Sequence, residues 1–309
     1  MEVLSRELLS MIVWGIICVM SCYGLVWFFR HARDWAGEGT TSPGADSSAH
    51  PHGPRPHIEA YAVFIAFALW LCVGVGFMNF VYESVKFSSP TLALGPGYEM
   101  AVPSELTGNV FLQIFVNLIG QLLLVGLLLP LATTVPGLPE SLGLDRVPTR
   151  RHLMALAFLW LLFLVPIFTV EQLWSQVLQW VGHRPFLQTA LKAYGGAVQQ
   201  GDYLMVFAVV SSAVGLAPVV EELLYRGYLH NLLSSRGGVL VGTFCSALLF
   251  AAVHIVPSVL FPIFVLGCLL SLIFEWRRSV WDCIVFHAYF NAGSLALAII
   301  FMYWSGQPM

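Results

Sequence analysis

Val220-Glu-Glu-Leu-Leu-Tyr-Arg-Gly227 breaks into an apolar run that extends from Leu204 to Leu233. Two carboxylates and a guanidinium stand where a lipid-spanning helix should carry none. Charges inside a bilayer are costly, so such residues are functional candidates by default. Two later stretches do the same. His254 closes Phe250-Ala-Ala-Val-His254, and His287 and Asn291 bracket His287-Ala-Tyr-Phe-Asn291. Carboxylates, imidazoles and a carboxamide are the parts of a water-activating hydrolytic site.

The rest of the chain supports the bilayer setting. Of 309 residues, 58% are hydrophobic and 10% charged, against about 25% charged in soluble domains. A net charge of -3 points to no nucleic acid and no acidic partner. The six cysteines, Cys18, Cys22, Cys72, Cys245, Cys268 and Cys283, lie in apolar runs and form no C-x-x-C pair. They read as small hydrophobes rather than disulfides or zinc ligands. Apolar runs lie at 8–29, 60–82, 110–132, 153–174, 204–233, 238–256, 259–275 and 280–303. The first is too long for a signal-peptide core and reads as a retained helix. Each is near the ~20 residues a helix needs to cross. The fold expected is all-α: a polytopic integral membrane protein of about eight transmembrane helices.

With the amino terminus outside, the inner loops carry Arg30, Arg33, Arg55, Arg146, Arg150, Arg151, Arg226, Arg236, Arg277 and Arg278. The outer regions carry Arg6, Lys86, Arg184 and Lys192. This bias places both termini outside. A polar loop near 30–59 is then cytoplasmic. Its stretch 34–57 is linker-like, and its His50, His52 and His57 read as solvated. Residues 83–109 suit an irregular outer loop, and 183–200 a short interfacial helix. Residues 1–202 are expected to be accessory helices, and 203–303 the functional core.

Helix geometry brings the ionisable groups to similar depth. From a turn near Ser234–Gly238, Glu221 lies roughly 20 Å back and His254 roughly 24 Å beyond, at 1.5 Å per residue. From the turn near Arg277–Ser279, His287 lies about 10 Å in and Asn291 about 16 Å in. His287 and Asn291 are four apart and share a face, as do Phe250 and His254. Glu222 and Arg226 are also four apart, acid first, a pairing that leaves Glu221 for chemistry. Pro218 lacks a backbone donor and can kink the helix beside the carboxylates. Singly, each group has a bland reading: a structural ion pair, or a histidine or asparagine bonding a neighbouring helix. Glu171 reads as interfacial. Glu275 and Asp282 flank a cytoplasmic turn and read as solvated.

In this order across about 70 residues, Glu-Glu-Leu-Leu-Tyr-Arg-Gly, Phe-x-x-x-His and His-x-x-x-Asn resemble the CPBP family. That family comprises CAAX prenyl proteases of the Rce1 type and bacteriocin-processing (Abi) relatives. The resemblance covers roughly residues 203–303, with a weak Ser141-Leu-Gly-Leu144 before it. It implies a CAAX-protease-like helical core and an intramembrane endopeptidase. Glu221 would activate water and His254 would position it. His287 and Asn291 would stabilise the oxyanion. Glu222 completes the catalytic group, with Arg226 and Phe250 in support. No cofactor is favoured. Zinc is the alternative, with Glu221, His254 and His287 as three ligands and a place for water. No His-Glu-x-x-His is present, and Asn291 suits hydrogen bonding better than zinc.

The function expected is hydrolysis of a peptide bond in a membrane-associated or prenylated substrate, at a site open to the cytoplasmic side. The partners are the lipid bilayer and a peptide or membrane-protein substrate. In a bacterium the location is the cytoplasmic membrane. The rivals are an immunity or scaffold protein without activity, and a proton-coupled transporter; the latter is disfavoured because no repeat pairs the two halves.

Overall fold

The computed structural model describes residues 114, 117–126, 128–129, 138–182, 189–254 and 256–305. The expected spans at 8–29 and 60–82, the loops at 34–57 and 83–109, and much of the 110–132 span lie outside the described residues.

The described residues form helices and no strand. They are α1 (Asn117–Gly126), α2 (Leu138–Leu142), α3 (Arg150–Trp180), α4 (Thr189–Gln200) and α5 (Tyr203–Val210). A π-helical stretch, Ser211–Leu216, leads to α6 (Ala217–Glu222). A second, Leu223–His230, leads to α7 (Asn231–Ala252), followed by α8 (Pro257–Arg277) and α9 (Val280–Ser305). Four helical stretches are long and apolar enough to cross a membrane: Arg150–Trp180, Tyr203–Ala252, Pro257–Arg277 and Val280–Trp304.

The second of these is 50 residues long, and it is folded in two. Gly238 has φ 82° and ψ 170°, a conformation open essentially to glycine alone. A Cβ added at Gly242 would collide with Ser234 and touch the His230 carbonyl. On a straight helix those residues would lie about 12–18 Å apart. The chain therefore reverses at Gly238 and packs back on itself through Gly242. The expected spans 204–233 and 238–256 are the two arms of this hairpin. Pro257 then opens α8, where its fixed φ and missing N–H suit a first helical turn. The turn from α8 to α9 is made by Arg278 at φ 54°.

Three apolar clusters hold these helices, and two of them pack the motif helices. In one, Leu156, Leu159 and Phe163 of α3 meet Leu270, Ile273 and Phe274 of α8 and Cys283 and Phe286 of α9. A helix from before residue 203, α3, thus supplies one wall of the core. In the other, Val220, Leu224, Tyr225 and Tyr228 pack with Phe250 and with Leu124, Leu128 and Leu142. Leu161, Leu173, Phe207, Leu240, Ile300 and Phe301 face outward. Exposed apolar side chains distributed over long helices are a lipid-facing surface. Of the 183–200 stretch, α4 spans Thr189–Gln200, and residues 183–188 lie outside the described residues. Glu171 is exposed on α3.

Candidate active site

The two adjacent glutamates leave their helix about 100° apart, and they meet different surroundings. Glu222 is fully buried. Its Oε1 accepts from Arg226 at 2.9 Å and from His287 Nδ1 at 2.7 Å. Arg226 is equally buried, donates also to the Gly267 carbonyl at 3.2 Å, and lies 4.5 Å from the centre of the Phe250 ring. The expected support from Arg226 and Phe250 is thus a continuous stack: α8 carbonyl, guanidinium, aromatic face. A buried cation is tolerable only when paired and bonded in this way.

Glu221 is different. Its side chain is 16% exposed, and Oε2 stands 3.9 Å from His287 Nε2. His287 therefore lies between the two acids, held through Nδ1 by Glu222 and facing Glu221 through Nε2. Because a carboxylate only accepts, the proton in the 2.7 Å bond belongs to Nδ1.

His254 lies just past the end of α7. Its Nδ1 bonds the Phe250 carbonyl at 2.8 Å. The Phe250 ring separates the two histidines, edge-on to His254 at 5.2 Å and to His287 at 5.8 Å. Glu221, His287 and Arg226 all bear on His254 electrostatically. His254 and His287 therefore flank Phe250, and His287 in turn meets Glu221 and Glu222.

Asn291 lies one turn along from His287, and its Nδ2 donates to the Ala213 carbonyl at 2.7 Å. It ties α9 to the π-helical stretch Ser211–Leu216. The interhelical bond is the bland reading of this residue, and it uses one of the two amide protons.

His254 and His287 both have Nδ1 held by an oxygen and Nε2 turned elsewhere, a pattern that also orients metal-ligating histidines. Yet among the described residues no three His, Cys, Asp or Glu side chains are grouped as a metal ion requires. Glu221, His254 and His287 do not form a zinc ligand set as they stand.

A second polar cluster, missed in the sequence, closes the other end of the core. The reading of Glu275 and Asp282 as solvated is corrected here. Asp282 is fully buried, and both its oxygens accept from Arg277 at 2.8 and 3.1 Å. Glu275 accepts from His230 at 2.8 Å and from Arg278 at 3.2 Å. Arg278 also donates to Asn231, whose Nδ2 reaches the Gly227 and Ser141 carbonyls at 2.6 and 3.1 Å. The physical reason is the left-handed turn at Arg278, which folds the basic pair back over the helix ends. The weak Ser141-Leu-Gly-Leu144 motif docks here. A side chain at Gly143 would overlap the Arg278 carbonyl, and Leu144 accepts from Trp281 at 2.9 Å. The available signal was the polar pair His230-Asn231 within an otherwise apolar stretch.

Every group of both clusters on α6 to α9 falls within residues 201–293, which match the family model described as Type II CAAX prenyl endopeptidase Rce1-like. This stretch is similar to the Rce1-like family. It carries all three motifs named from the sequence. No curated protein and no solved structure matches the chain. The similarity is to a CAAX-type endopeptidase family over these residues, and the apolar helices mark an integral membrane protein.

Proposed function

We propose that the protein is a membrane endopeptidase in which Glu221 is the general base. The observation that carries this is the unequal treatment of the two glutamates. Glu222 is spent on Arg226 and His287, whereas Glu221 keeps its side chain partly exposed beside His287 Nε2. A base must accept a proton, and a carboxylate already bound to a guanidinium is a poor one.

Glu221 takes a proton from water, and the hydroxide oxygen attacks the scissile carbonyl carbon. His254, held at Nδ1 by the Phe250 carbonyl, offers Nε2 to place that water. The tetrahedral oxyanion accepts hydrogen bonds from His287 Nε2–H and from the second Nδ2–H of Asn291. In this role both ring nitrogens of His287 carry protons, and its charge sits between two carboxylates. The C–N bond then breaks, and Glu221 returns its proton to the leaving amine. The substrate is a membrane-associated or prenylated CAAX-type peptide, reached from the cytoplasmic side with both termini outside.

The test is cleavage of an internally quenched farnesylated CAAX peptide by the purified protein in proteoliposomes. Glu221→Gln should abolish turnover and leave thermal unfolding in detergent unchanged. Near-normal cleavage by that variant would overturn the assignment.

A further inference from the structure

The π-helical stretch before the glutamates has a consequence for Asn291. Widening the register from i−4 to i−5 reassigns every backbone bond along it. The Ala217 N–H goes to the Ser212 carbonyl, five residues back. It is therefore not spent on Ala213. In the same register the donor for Ala213 is residue 218, which is proline and has no N–H. The Ala213 carbonyl is left without a partner from its own helix. A half-buried carbonyl takes another donor where one is in reach, and Asn291 of α9 supplies it at 2.7 Å.

We propose that Pro218 is a positioning residue. By withholding its N–H it hands the Ala213 carbonyl to Asn291 and so fixes the Asn291 amide relative to Glu221, which lies less than one helical turn further on. This rests on the reading above, in which the second amide proton of Asn291 serves the oxyanion. Substitution to alanine restores a donor at 218. Alternatively it lets the stretch relax to an α-helix, in which Ala217 bonds Ala213. Either way a backbone N–H competes for the carbonyl, and Asn291 loses its anchor.

The experiment is a double-mutant cycle on the full chain in proteoliposomes, with the quenched farnesylated peptide as probe. Displacing a reacting group by about 1 Å costs on the order of 10²-fold. Pro218→Ala is therefore expected to lower kcat about 10- to 100-fold, with KM little changed. In an Asn291→Ala background the same substitution should cost nothing more, because the group it misplaces is already gone. Replacing residue 218 with lactic acid, whose backbone ester also lacks an N–H, should restore turnover. Alanine suits a helix interior, and thermal unfolding in detergent checks it. If that variant does not fold, the lactic acid variant decides: turnover near wild type supports the proposal, and turnover as low as that of Asn291→Ala overturns it. Full activity of Pro218→Ala beside a damaged Asn291→Ala overturns the positioning role and leaves the peptidase reading in place. Additive losses also overturn it. Full activity of Asn291→Ala removes the reading of Asn291 itself.

Discussion

The core carries two buried polar clusters, and they treat charge in opposite ways. At the turn between α8 and α9, charges are matched. Asp282 takes both its bonds from Arg277, and Glu275 is shared by Arg278 and His230. At the motif residues one carboxylate is matched and its neighbour is not. Glu222 holds Arg226 and His287, while among the described residues Glu221 has the 3.9 Å approach of a ring nitrogen. A satisfied cluster fixes a fold; an unsatisfied acid beside it stores reactivity. The difference separates the residues expected to hold the helices together from those expected to act on a substrate.

The sharpest way to break this comparison is Glu221→Gln. Removing a general base costs about 10²–10⁴ in rate, and among the described residues this carboxylate pairs with no arginine. Turnover should vanish while the unfolding temperature in detergent holds. Asn291→Ala is next: loss of an oxyanion donor costs about 10²–10³ in kcat. It should appear in kcat, with KM little moved. A change confined to KM would assign Asn291 to binding or to structure alone.

The matched charges should behave in the reverse manner. Asp282→Ala leaves Arg277 buried and unpaired, a change that typically costs 3–5 kcal/mol. Expression and the unfolding temperature should fall. Turnover per folded molecule should stay close to wild type, because the Asp282 carboxylate is bound to Arg277 in the second cluster. Glu222→Gln should fail in both respects, since Glu222 pairs Arg226 and also orients His287. If Asp282→Ala removed turnover from folded protein, the two clusters would not be separable.

Much of this was legible in the sequence because helical spacing is rigid. Residues four apart share a face, which was enough to pair Glu222 with Arg226 and to align Phe250 with His254 and His287 with Asn291. Polar and glycine residues near 234–238 marked the hairpin turn, and the depth count put Glu221 and His254 at similar depth and was compatible with a meeting with His287 and Asn291. What escaped depended on backbone register and on chain reversal. Counting at 3.6 residues per turn cannot show that Ser211–Leu216 is π-helical, so the partner of Asn291 was invisible. Arg277 and Arg278 looked like loop charges because their burial follows from a left-handed turn at one residue. Glu275 and Asp282 were misread with them.

The smallest expected effect is that of chelation. Zinc needs three protein ligands with neutral imidazoles, and stripping it should silence the enzyme until metal returns. Here His287 meets Glu222 through Nδ1 and Glu221 across 3.9 Å, and among the described residues no metal-holding trio forms. In the metal-free mechanism, charge at the transition state falls on hydrogen-bond donors, and exhaustive dialysis against a chelator should leave kcat unchanged. Metal analysis of the active protein should then find zinc well below one per chain. Stoichiometric zinc, with turnover lost on its removal and regained on its return, would replace the mechanism. It would also recast the comparison, because Glu221 would then be matched, by a cation bound between it and the two histidines.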